Sequence, residues 1–128
     1  MEPSNDNDPV IVVIGADSSR CAGLAYPFAQ EGYEVLIPET EGEIPWAISR
    51  VPVLILLDYT PATHMAGMTV AAITRYLSGD EPGCAPPLLV MATADMQPLV
   101  HRRPNVERIL PPSSLDLLVE VARRHIRW

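Results

Sequence analysis

Asp58 closes the run V-P-V-L-I-L-L-D at Val51–Asp58, and a carboxylate in that place is where this chain can do chemistry. The run is rich in Val, Ile and Leu and shows no alternation, the pattern of a strand covered on both faces in a parallel sheet. Open α/β sheets bind ligands beyond the carboxyl ends of their strands, so Asp58 stands at the ligand edge. Thr93 ends a second apolar run, Leu88–Thr93, and Asp17 follows a third, Val10–Ile14, after a Gly-Ala pair. Each of the three has a structural explanation beside the chemical one. Asp17 can cap a helix, Thr93 can pack or cap the next turn as a β-branched residue, and Asp58 can cap a loop.

Other chemistries are excluded or unsupported. All 9 basic residues are arginine, so Schiff-base chemistry and the lysine of a phosphate-binding P-loop are ruled out by inspection. A net charge of −7 and a pI near 4.8 speak against nucleic acid as a direct partner, because phosphate binding needs a basic field. Cys21 and Cys84 are too isolated for a disulfide framework or a zinc site and read as reduced, packed thiols. His64, His101 and His125 are scattered, with no Cys or carboxylate set beside them, and read as surface residues. The chain has neither an apolar run of membrane-spanning length nor a basic-then-apolar leader, which places the protein in the cytosol, off the membrane.

The elements that must position the three residues follow from the same patterning. With 128 residues and a hydrophobic fraction of 48%, the chain has one domain's worth of core. Met1–Pro9 is polar and acidic and reads as a disordered leader to a domain over residues 10–128. Val10–Ile14 is the first buried strand. A helix capped by Asp17, Ser18 or Ser19 runs to about Glu31, with a kink or late start expected at Pro27 and a left-handed stop at Gly32. Tyr33–Pro38 is the second strand, Pro45 opens a short helix to about Arg50, and Val51–Asp58 is the central strand. Met65, Met68, Ala72, Ile73 and Leu77 fall at offsets of threes and fours, which predicts an amphipathic helix over 65–77. Leu88–Thr93 and Val106–Leu110 are the last two strands, and Ser114 caps a C-terminal helix through Ile126. Strands alternating with helices at this spacing predict a flavodoxin-like doubly wound α/β sandwich, its five parallel strands in the order 2-1-3-4-5.

The runs E-G-Y-E-V at Glu31–Val35, L-I-L-L-D at Leu54–Asp58, V-M-A-T-A-D at Val90–Asp95 and I-L-P-P-S-S at Ile109–Ser114 resemble the receiver domain of two-component response regulators. The resemblance spans Val10 to the C-terminus. It implies a domain that takes a phosphoryl group from a histidine kinase onto an Asp at the end of the third strand. An acidic pair after the first strand would hold Mg²⁺, a Thr or Ser and a Lys would contact the phosphoryl group, and an aromatic on the fifth strand would report the change. Asp58 matches the phosphoacceptor and Thr93 the hydroxyl. Gly15 and Ala16 fall where the acidic pair belongs, which leaves Asp17, one position late, as a metal ligand with Asp58. Pro111 stands at the lysine position and Arg108 at the aromatic one. By this resemblance a cis bond is expected before Pro112.

A hard cation needs several oxygens and a transferring phosphoryl group needs cations to spread its charge. The expected function is therefore a pseudo-receiver. It keeps the fold as a protein-interaction module without a resident cofactor, and Asp58 is vestigial. The alternative is an orthodox receiver phosphorylated on Asp58. Ala94–Asn105 is a short span for a helix and two loops, so a shortened fourth helix is expected. The resemblance puts the interaction face there, with Arg102, Arg103, Arg108 and Arg123 offered to an acidic partner, to a histidine kinase or output protein, or to a second copy of the chain. A second alternative is a small nucleotide-binding domain. V-V-I-G-A-D-S-S-R-C-A-G imitates a dinucleotide-binding turn, with Glu39 as the ribose acid, although Asp17 replaces the second glycine of the motif. With no partner for Asp58 evident, Asp58→Ala is expected to cost little.

Overall fold

The computed structural model describes residues 9–77, 86–92, 96, 106–109 and 115–126. Its strands are β1 (Val10–Ile14), β2 (Glu34–Leu36), β3 (Leu54–Tyr59), β4 (Leu88–Ala92) and β5 (Val106–Ile109). They form one parallel 5-stranded sheet in the order β2-β1-β3-β4-β5, the expected doubly wound topology. The helices are α1 (Ser18–Gln30), α2 (Ile44–Ser49, preceded by a 3-10 turn at Glu41–Glu43), α3 (Pro61–Met65), α4 (Val70–Leu77) and α5 (Leu115–His125).

Strand side chains alternate between two cores, one on each face of the sheet. Ile11, Val13, Leu54, Leu56, Leu89 and Met91 pack against α1 and α5. Val12, Ile14, Ile55, Leu57, Leu88 and Val90 pack with Ile44 and Ala47 of α2 and Val70 and Ile73 of α4. Because both faces are covered, the central strands β1, β3 and β4 read as apolar runs, broken only by Asp58 and Tyr59 at the end of β3. The same alternation sends Asp58, in phase with Leu54 and Leu56, toward the α1 and α5 face. Tyr59, in phase with Ile55 and Leu57, goes to the other face.

Three expectations change, besides a second strand that spans Glu34–Leu36 rather than Tyr33–Pro38. The central strand starts at Leu54, because Val51 has φ 54°, in the left-handed region, and Pro52 has no N–H for the ladder. The helix expected over 65–77 is two helices. Gly67, at φ 81°, breaks the chain, and Thr69 Oγ1 accepts from Ala72 N at 3.1 Å to start α4. Met65, placed on the apolar face by the spacing, is exposed. Third, α1 starts at Ser18 and includes Pro27, so the late start expected there is not found. Gly32 has φ 97° and ends α1 as expected. The expected leader, the shortened fourth helix, the bond before Pro112 and the Ser114 cap lie outside the described residues.

Candidate functional site

The site is built where β1, β3 and the first turn of α1 meet. Asp17 caps α1, with Oδ1 accepting from Ser19 N at 3.0 Å and Arg20 N at 3.2 Å. This fixes the helix start and points its first turn across the end of β3. Arg20, in that turn, donates from Nε to Asp58 Oδ2 at 2.6 Å. The Asp58 side chain is 3% exposed and that of Arg20 is 49% exposed, so a buried carboxylate is closed over by a cation reaching in from solvent. The Asp58 carbonyl is held too, accepting from Thr63 Oγ1 at 2.8 Å, while Thr60 Oγ1 takes Thr63 N at 3.2 Å as the cap of α3. Asp58 is thus a paired residue, and the premise that Asp58→Ala removes an unpaired carboxylate does not hold.

Gly15 explains why the acidic pair is missing at the end of β1. A Cβ there would stand 2.8 Å from Cys21 Sγ and 3.3 Å from Asp58 Cβ, inside contact distance. The space that an acidic side chain at position 15 would need is filled by the Cys21 thiol. Cys21 is fully buried, as its reading as a packed thiol expects. Burial first, then the nearby Asp58 and Asp17 carboxylates, push the thiol up to about 11, with Arg20 offsetting part of the rise. Burial likewise raises the Asp58 carboxyl above the ordinary carboxylate range. The Arg20 charge and hydrogen bond pull it back, and Asp17 adds to the rise.

The divalent cation that the resemblance places here does not fit the donors as they stand. Asp17 Oδ1 is spent on two helix amides and Asp58 Oδ2 on Arg20. Among the described residues no group of three or more His, Cys, Asp or Glu is placed to hold a metal ion. Asp17 acts on Asp58 through its charge, but the ion paired with Asp58 is the Arg20 guanidinium. The nucleotide reading meets the same obstacle, since the amides a phosphate would take at the start of α1 already bind Asp17. Sequence reasoning missed Arg20. Its one available signal is a cation in the first turn of a helix, where the macrodipole disfavours it.

The remaining candidates are placed in part. Thr93, Arg102, Arg103 and His101 lie outside the described residues, as does Pro111. Arg108 stands on β5 in register with Val90. Arg123 is exposed on α5 and carries an ion pair. Its guanidinium pairs with Glu31 at 2.5 Å, tying α5 to the end of α1. His64 is exposed as expected, yet its Nδ1 meets the buried Tyr59 hydroxyl at 2.5 Å, beside Asp58 in sequence. Among the described residues no helix is long and apolar enough to cross a membrane.

By sequence the chain matches no protein-family model and no curated protein. By structure it is similar to a response regulator receiver domain protein from Bacillus halodurans C-125. That match has a TM-score of 0.73 at 13% identity and covers 95% of this chain and 100% of that one. It is also similar to a response regulator from Desulfuromonas acetoxidans, with a TM-score of 0.62 at 16% identity, covering 91% of this chain and 94% of that one. At such identities the likeness carries the fold and no residue roles: the chain folds as a response-regulator receiver domain does.

Proposed function

We propose that this chain is a non-enzymatic signalling module of the receiver fold. It works in the cytosol by protein contact, its state set by binding or assembly rather than by aspartyl phosphate. The observation that carries the reading is the packing at Gly15. The Cys21 thiol occupies the space of an acidic side chain there, so among the described residues the carboxylate that acts on Asp58 is Asp17, and it is committed to capping α1. The lysine-free sequence supports the same reading, because phosphoryl transfer needs cations around the developing charge.

The partner we expect is a protein, either a histidine kinase or output protein or a second copy of the chain, rather than nucleic acid or a membrane. Arg102, Arg103 and Arg108 are the residues proposed to meet it, through bidentate pairs with carboxylates. The test has two arms. Incubation with acetyl phosphate and Mg²⁺ followed by intact mass should show no added phosphoryl group. Molar mass by light scattering should fall with salt, and with Arg102→Glu and Arg108→Glu, if the face joins two copies. A phosphoryl group that appears in the wild type and vanishes in Asp58→Asn would establish the orthodox receiver instead.

A further inference from the structure

We infer that Arg20 is a resident counter-ion that takes, at the Asp58 carboxylate, the place a divalent cation would need, so that the ligand edge is closed to metal ions by a side chain of the chain itself. The inference deepens the reading above, on which it rests for the role of this edge.

Three observations carry it. First, the contact is with the carboxylate a metal would use. Arg20 Nε lies 2.6 Å from Asp58 Oδ2, at the end of a central strand where the carboxylate is almost wholly withdrawn from water. A carboxylate so buried must be neutralised, and a guanidinium does so with a hydrogen bond and a full charge. Second, α1 does not need Arg20 for its own sake. The helix is capped by Asp17, and a cation in its first turn opposes the macrodipole, so the favourable contact that holds this side chain is the one to Asp58. Third, the donors left over are of the kind Mg²⁺ accepts. One or two carboxylates and several waters suffice for that ion, and Asp58, the carboxylate that Arg20 holds, is the ligand its removal would free. Cys21, next in sequence, is buried and packs its thiol against Gly15. What stands between the Asp58 carboxylate and a hard cation is therefore Arg20.

The experiment is a thermal melt of the full chain against MgCl₂, with NaCl at matched ionic strength as the control. The wild type and Arg20→Lys, which keeps a cation, should show no Mg²⁺-specific shift. Arg20→Ala and the milder Arg20→Gln should melt lower without metal and regain a few degrees as MgCl₂ rises to about 10 mM, because a ligand that binds only the folded state stabilises it by mass action. Adding Asp58→Asn to Arg20→Gln should abolish the gain. A wild type that responds as the variants do would overturn the inference, and so would a folded Arg20→Gln that stays flat. Intact mass after acetyl phosphate separates the two readings. A wild type that gains a phosphoryl group defeats the proposed function, whereas a flat Arg20→Gln defeats only the role of Arg20.

Discussion

Replacing Arg20 with alanine strands a carboxylate that the fold has already removed from water, and the cost should depend on pH in a direction the structure fixes. Breaking a fully buried pair by removing one partner costs about 3–5 kcal/mol, while exposed pairs contribute about 0–1 kcal/mol. Here one side chain is 3% exposed and the other 49%, so the loss belongs between these limits, at about 1–3 kcal/mol near pH 7. For a domain of this length that corresponds to a fall in melting temperature of roughly 4–12 °C. The sign of the pH dependence follows from the proton. Burial already holds the Asp58 carboxyl above its unfolded value, and Arg20 is the main influence lowering it. Without Arg20 the folded value rises further. The folded variant then binds a proton that the unfolded chain releases, and its stability falls as pH rises through that window. The deficit of Arg20→Ala against wild type should therefore be largest at neutral pH and shrink on acidification, since a protonated Asp58 needs no counter-ion. Urea unfolding at several pH values from about 4 to 8 measures it. Asp58→Asn in the Arg20→Ala background should recover most of the loss. A deficit constant across that range, or one that the second substitution enlarges, would refute the pairing as the cause.

Gly15→Ala should cost about 1–3 kcal/mol, because its methyl would meet Cys21 Sγ at 2.8 Å, and Cys21→Ala in the same chain should relieve part of it; urea midpoints of the two single variants and the double variant measure the coupling. Leu56→Ala and Ile55→Ala, each fully buried but in opposite cores, should each cost about 2–5 kcal/mol and add in the double variant unless the two faces share relaxation through β3. With Cys84 replaced by Ser, Cys21 should resist an aromatic disulfide reagent in the folded protein and react only as fast as the chain opens, since its thiol is buried and held protonated. A fast, stoichiometric reaction under native conditions would contradict the packing against Gly15.

The sheet was legible because burial on both faces writes itself into sequence as unbroken β-branched and leucine runs. Val10–Ile14 is identical in the sequence reading and the structure, and Leu88–Ala92 differs by the one residue, Thr93, that is not described. The same signal misled at Val51–Val53, since an apolar residue in a left-handed turn cannot be told by hydrophobicity from one in a strand. At 65–77 the spacing fitted one helix. The Thr60-Pro61 cap and first-turn pair and the glycine at 67 gave the division into two, and these local signals were available but outweighed by periodicity. The position of Asp58 was readable from the end of its run. Its partner was not, because Arg20 and Asp58 meet only once β1 and β3 lie side by side and α1 crosses back over them. The clash that forbids a side chain at position 15 is likewise a property of three elements at once.

The central claim is that this edge of the sheet does not take a phosphoryl group. An amide NMR spectrum recorded with and without a beryllofluoride phosphoryl analogue and Mg²⁺ tests it most directly, since such an analogue mimics the aspartyl phosphate without requiring a phosphodonor to turn over. The account predicts that the amides of Gly15, Asp58, Tyr59 and Met91, the last paired with Asp58 across β3 and β4, stay where they are. Saturable movement of these resonances that needs both the analogue and Mg²⁺, and that disappears in Asp58→Asn, would contradict it.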